Sequence, residues 1–256
     1  MFNQVDVVIP WVDGGDPNHK AKRDKFKALP IQVISSSVDD MRFEQSNEIY
    51  YCINSIIKFM PWIRNIYLVT DSQTPDFIKS EVDKYNKVIV IDHKDIFYDY
   101  QSYMPTFNSR TLTSLYWRIP GIASKFIVFN DDIVVLKPLS KDYFINNNKV
   151  VLYGKLEKFK FSRELKILRK VWAYIYFKKN GILLGDRATV AQKTARKIGF
   201  KNSFFVNSHM PMIYCRNIFE NFFHDKDVLC DQIKYKFRSS DQLLPESINC
   251  HTLIKE

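Results

Sequence analysis

The sequence predicts an α/β fold with a mostly parallel central sheet and helices on both faces. Three observations carry that prediction. Short apolar runs alternate with segments of helical period through the first half of the chain. Polar groups recur just past the end of each run, as they do in sheets that bind ligands beyond their carboxyl edge. The 256 residues are 46% hydrophobic and 15% aromatic, with 7 Gly and 10 Pro, which suits a single domain spanning 1–256.

Residues 5–12 (VDVVIPWV) are rich in β-branched side chains and close at Gly14, Gly15, Asp16 and Pro17, the pattern of a buried strand entering a loop. Ser46 is placed to cap a helix with Glu48 in its first turn. Ile49, Ile53, Ile56 and Met60 follow at helical spacing, and Pro61 ends it. Residues 66–69 (IYLV) form a second strand, stopped by Thr70, Asp71 and Ser72. A helix around 77–85 leads to a third strand at 87–91 (KVIVI), capped by Asp92 and His93. Residues 111–117 predict a helix ended by Pro120 and Gly121. Residues 125–129 (KFIVF) predict a fourth strand that runs into Asn130, Asp131 and Asp132. Beyond residue 202 the sequence offers a short strand, a helix near 216–223 and polar turns.

Asp13, Asp71, Asp92 and the Asp131/Asp132 pair all fall at predicted strand ends. Singly, each fits a turn or a helix cap. Four recurrences on one edge point to a site.

The net charge of +10 favours phosphates, acidic glycans, nucleic acid or an anionic membrane surface, and charge alone does not choose among them. Cys52, Cys215, Cys230 and Cys250 show neither zinc-site nor disulfide-framework spacing, so free thiols in a reducing cytoplasm are the expectation. The N-terminus has no signal-peptide pattern, and no run of ~20 apolar residues suggests a spanning helix. Residues 155–200 predict a basic helical insertion: positions 155–179 carry nine basic and two acidic residues among six aromatics. Leu165, Leu168, Trp172 and Ile175 share one helical face and Arg163, Lys166 and Lys170 another, which fits a solvated surface helix or one resting on anionic lipid. No nucleic-acid module accompanies the charge.

The strongest chemical signal is the apolar run that delivers Asp131 and Asp132 into a loop. Paired hard carboxylates suit Mg²⁺ or Mn²⁺, which in turn neutralises a diphosphate. His209, in Ser208-His209-Met210-Pro211, could accept a proton from an acceptor hydroxyl, or serve only as a turn residue. Arg238 could hold phosphate oxygens in its fork, or pair with Asp241 at the surface. Trp11 and Asp13 could stack on and hydrogen-bond a nucleoside. The sequence lacks a Gly-rich phosphate loop and a Gly-x-Ser-x-Gly, which excludes the common P-loop and serine-hydrolase signatures.

These segments together resemble the Stealth family of sugar-phosphate transferases. The resemblance rests on residues 7–17 (VVIPWVDGGDP), Arg42-Phe43-Glu44, Pro61 through Asp71, Pro105 through Ser109, Arg118 through Gly121, and Phe129 through Asp132. It continues more sparsely in Ser208 through Pro211, Phe237 through Ser239, and Asp241. Two departures stand out: Thr113 holds a place usually taken by Glu, and the chain stops soon after the third block.

The resemblance implies a GT-A-like fold, a UDP-sugar donor and a divalent metal. It implies attack by a glycan hydroxyl on the sugar-linked phosphorus, with release of UMP. By position it assigns the metal to Asp132 with Asp131, the base to His209 and phosphate charge to Arg238. Trp11, Asp13, Asn108 and Asp71 fall to the nucleotide side. The implied setting is cytoplasmic, at the inner membrane face, with a lipid-linked glycan acceptor and no nucleic acid. The alternatives are a glycosyltransferase that releases UDP and a decayed glycan- or membrane-binding relative.

Overall fold

The computed structural model describes residues 4–27, 43, 46–159 and 187–256. Its centre is a five-stranded sheet built from β1 (Val5–Pro10), β2 (Ile66–Thr70), β3 (Val88–Asp92), β4 (Lys125–Val128) and β9 (Met212–Cys215). The strand order is β3-β2-β1-β4-β9. The first four strands run parallel, with Val7 opposite both Ile66 and Ile127, and β9 joins β4 antiparallel. β1 lies in the middle and is buried on both faces, which is why its sequence is nearly continuous in apolar residues. This is the predicted α/β class, and it is consistent with a GT-A-like arrangement.

The direction of β9 matters for the site. Because it runs opposite to the others, its entry turn at residues 208–211 arrives at the edge where β1 to β4 deliver their carboxyl ends.

Several helices differ from expectation in instructive ways. The helix α1 (Pro17–Lys27) sits where the sequence suggested only a loop. Pro17 opens it, and Asp16 Oδ1 accepts from His19 N at 2.8 Å, as an N-cap does. The predicted cap at Ser46 gives way to Asn47, at φ 64°, before α2 (Glu48–Phe59). There the Glu48 carboxylate takes the Ser46 N–H at 2.5 Å.

The expected helix at 77–85 shortens to α3 (Asp76–Ser80). Tyr85 is drawn into the core against Phe77 and hydrogen-bonds Asn54, so the chain leaves helical geometry to reach it. A capping box of Asp92 and Asp95 starts α4 (His93–Ile96). The helix expected at 111–117 starts earlier, as α5 (Ser109–Thr113), because Asn108 Oδ1 caps it through Arg110 N at 3.1 Å.

Two short ribbons flank the sheet: β5 (Ile145–Asn146) with β6 (Lys149–Val150), and β7 (Gly154–Lys158) with β8 (Ser203–Asn207). A small second core of Val190, Ala195, Phe204 and Leu244 joins β8 to α6 (Arg187–Ile198) and to the start of α9 (Pro245–Lys255). The helices α7 (Arg216–Phe222) and α8 (Lys226–Ile233) complete the described elements. Within the span read as a basic helical insertion, the described parts are a strand and α6. Residues 160–186, with Lys166 and Trp172, lie outside the described residues.

Buried Asp6 ties the sheet together at the edge opposite the site. It accepts from Arg64 Nε at 2.8 Å, Asn65 N at 3.2 Å and Ala123 N at 2.7 Å, which joins the starts of β1 and β2 to the segment entering β4. All four cysteines are unpaired thiols. Among the described residues no helix is long and apolar enough to cross a membrane.

Candidate active site

The carboxyl edge of the sheet opens into neighbouring clefts. One, of 470 Å³, is lined by Trp11, Glu48, Asn108, Asp131, Asp132 and Arg238 among others. A second, of 290 Å³, is lined by Arg110, Thr113, Arg187, His209, Tyr214 and Glu246 among others. Pro10, Ser109, Asn130 and Arg238 border both, so they form a common wall. On the far side of Trp11 lies a hollow of 660 Å³ that holds Asp13, Tyr51, Ser72, Gln73 and Phe77.

The acidic loop is fixed by the backbone behind it. Phe129 N donates to Val8 O at 3.0 Å, and the buried Cys52 thiol donates to Asn130 O at 3.6 Å. Asp131 is half-buried and Asp132 exposed. Burial pushes the Asp131 carboxyl up to about 6, and repulsion from Asp132 and Glu48 adds to the shift. Glu48 is a cleft residue that sequence reasoning missed, because a first-turn Glu reads as an ordinary helix-start residue.

This crowding of carboxylates fits a divalent cation in kind: hard oxygens, with excess negative charge to offset. Among the described residues no three His, Cys, Asp or Glu side chains converge into a complete metal cage. A divalent cation held by these carboxylates would need further ligands, of the kind that phosphate oxygens and water supply to Mg²⁺.

Arg238 is held in the common wall. Its Nε donates to Ser109 Oγ at 3.1 Å, and Nη2 reaches the same oxygen. Ser109 in turn is placed by Asn108, whose side chain is completely buried. Asn108 Nδ2 donates to Phe237 O at 2.9 Å, Gln242 Oε1 at 2.9 Å and Tyr235 O at 3.2 Å. Asn108 thus borders the cleft, yet its amide is spent on bracing segment 235–242 against α5.

The other strand-end acids divide. Asp13 shapes a turn: its Oδ1 accepts from Gly15 N at 2.9 Å, while its backbone exchanges two hydrogen bonds with the Gln73 amide. Gly14 is required there, since a Cβ would lie 1.9 Å from Phe43 O. Asp92 caps α4 and accepts from Ser72 Oγ at 2.8 Å. Asp71 is buried in an ion pair with Lys22 at 2.7 Å.

Trp11 is 8% exposed, and its indole N–H has no hydrogen-bond partner among the described residues. His19 and His93, seventy-four positions apart with no sequence signal linking them, both come to the same cleft.

Burial holds the imidazole of His93 down to about 4, from an ordinary value of 6.5. Asp71, Asp92, His19 and Lys22 are the titratable groups around it. The unfolded chain therefore binds this proton first as pH falls. Stability that is full above about pH 6.5 is lost progressively toward pH 4. Thermal unfolding across that range is expected to show a shallower decline in His93→Gln than in the wild type. Parallel profiles would contradict this.

His209 is exposed on the entry turn of β9, in the second cleft. Thr113 lines that cleft too, with its hydroxyl turned back to Ser109 O at 2.7 Å. The structure thus brings Asp131, Asp132, Trp11 and Arg238 to one cleft and His209 to the adjoining one. Asp13 and Asp71 line neither cleft, although Asp71 acts electrostatically on His19 and His93 in the first.

Comparison with known proteins bears on the first half of this arrangement. Residues 3–29 match Stealth protein CR1, conserved region 1, and residues 42–152 match Stealth protein CR2, conserved region 2. A capsular polysaccharide phosphotransferase, cps1A, of Actinobacillus pleuropneumoniae is 37% identical over 148 residues, which is 57% of this chain and 39% of the relative. The capsular polysaccharide phosphotransferase LcbA of Neisseria meningitidis is 39% identical over 149 residues, with the same shares covered. An exopolysaccharide phosphotransferase of Streptomyces coelicolor is 38% identical over 145 residues, 15% of its length. The matched stretch is thus well under half of each relative. His209 and Arg238 fall after the second matched region, so their placement rests on the fold. With both conserved regions present in order, and their residues forming the acid-lined cleft, the chain belongs to the Stealth family.

Proposed function

We propose that this protein transfers a hexose 1-phosphate from a UDP-sugar to a glycan hydroxyl in the synthesis of a cell-surface polysaccharide. The observation that carries this reading is the common wall. Arg238 and Ser109 stand between a cleft with paired carboxylates and a cleft with an accessible imidazole. A diphosphate in the first cleft would place its sugar-linked phosphorus at that wall, with the acceptor approaching from the second.

His209 takes the proton of the acceptor hydroxyl. The oxygen forms a bond to the sugar-linked phosphorus, and the bond from that phosphorus to the bridging oxygen breaks, so UMP leaves. Arg238 offsets the negative charge that builds on the phosphoryl oxygens. Asp131 and Asp132 would hold Mg²⁺ or Mn²⁺, which supplies charge neutralisation of the diphosphate when bound. No covalent nucleophile is needed, because positioning and charge stabilisation dominate phosphoryl transfer. The capsular and exopolysaccharide phosphotransferase names of the relatives support the reaction class.

Thermal unfolding tests the donor half of this reading. UDP-N-acetylglucosamine is expected to raise Tm with Mn²⁺ present and to lose that effect in a chelator. Absence of metal-dependent protection across a set of UDP-hexoses would contradict it. We also propose that the acceptor is lipid-linked and that the basic span 155–179 rests on anionic lipid. Co-sedimentation with anionic vesicles should weaken at high salt, and indifference to lipid charge would end that part of the proposal.

A further inference from the structure

Among the described residues, four buried polar atoms without hydrogen-bond partners belong to the wall of the acid-lined cleft: Trp11 Nε1, His19 Nδ1, His93 Nε2 and Thr106 Oγ1. A fifth, Thr70 Oγ1, ends the strand beside Val69, itself a lining residue. All five side chains are more than nine-tenths buried. Each such atom carries a desolvation penalty, and native proteins rarely gather several together without a reason.

We propose that this wall reads the hydroxyl groups of a sugar ring bound in the cleft, so that Trp11, His19, His93 and Thr106 determine which sugar is accepted. The inference rests on the donor reading above and deepens it.

The chemistry of the wall points to hydroxyls rather than to phosphate or metal. Burial disfavours the charged form of both imidazoles. A neutral imidazole and a threonine hydroxyl can each donate or accept, and the indole donates. Ring hydroxyls do both as well, so they complement such a wall in many orientations. A phosphate is better served by Arg238 and the acidic loop, which line the same cleft. The lining of the cleft thus combines charged groups with hydrogen-bonding ones, as a sugar phosphate requires. The four atoms are enclosed in this structure, so a modest outward turn of the side chains accompanies binding. Two sugars could be the one read: the ribose of the nucleotide or the hexose to be transferred.

The test compares wild type with Thr106→Val and His19→Phe, each close in shape to the residue it replaces. Titration calorimetry with Mn²⁺ would measure UMP, UDP and UDP-N-acetylglucosamine. The expected result is a loss of about 10-fold in affinity per variant, in step with a lost hydrogen bond. Loss confined to UDP-N-acetylglucosamine identifies the hexose as the sugar read, and equal loss for all three identifies the ribose. Without ligand, Thr106→Val should melt about 2–4 °C higher, because it removes an unpaired buried hydroxyl. Unchanged affinity for all three ligands in well-folded variants overturns the inference and leaves the donor reading intact. If the wild type binds none of the three, the donor reading falls and the inference falls with it.

Discussion

Arg238→Ala is expected to lower kcat/KM by roughly 10²–10³-fold, about 3 kcal/mol of transition-state stabilisation, while the protein stays folded. The guanidinium stands in the wall between the clefts, and Ser109 Oγ fixes its direction through the hydrogen bond from Nε. A preorganised cation at that point meets charge that is greatest in the transition state, so the loss should fall on kcat more than on KM. Arg238→Lys keeps the charge without the fork and should recover only part of the activity. Ser109→Ala should act in the same direction but more weakly, since it removes one contact of the guanidinium without removing the charge. Steady-state kinetics with purified variants decide the matter. An Arg238→Ala enzyme with unchanged kcat/KM would remove Arg238 from the mechanism.

Asp132→Ala is expected to be still more damaging, at about 10³-fold in rate, because a divalent ion at a diphosphate supplies several kcal/mol. The two carboxylates are not equivalent. Asp132 is exposed at the loop, whereas Asp131 is half-buried and raised toward 6 by burial and by its acidic neighbours. Without metal that crowding is unfavourable. Asp131→Asn should therefore lose activity and yet raise the Tm of the metal-free protein, by about 2–4 °C. Activity of Asp132→Ala near wild type, with the metal requirement unchanged, would contradict the assignment.

The parallel strands were legible because each is a short β-branched run ended by a polar residue, as in residues 66–69 before Thr70. The acidic loop was legible for the same reason. Other features lay beyond a local reading. The Asp16 cap of α1 follows a Gly-Gly turn and so reads as part of a loop. The early start of α5 depends on Asn108, which is held by residues more than a hundred positions away. His19 and His93 meet only because β1 and β3 end on the same edge. The nearness of His209 to Arg238 depends on β9 running antiparallel, which no local pattern announces. Periodicity finds elements and strand ends, whereas the partners of a buried side chain are set by long-range packing.

The central claim is that phosphorus, and not the anomeric carbon, is the atom attacked. The most direct measurement is the nucleotide released when the protein is incubated with UDP-hexoses, Mg²⁺ or Mn²⁺, and capsule oligosaccharide. The account predicts UMP, in step with a new phosphodiester, and its loss in Asp132→Ala and His209→Ala. Release of UDP in step with a new glycosidic bond would contradict it and would make the protein a glycosyltransferase.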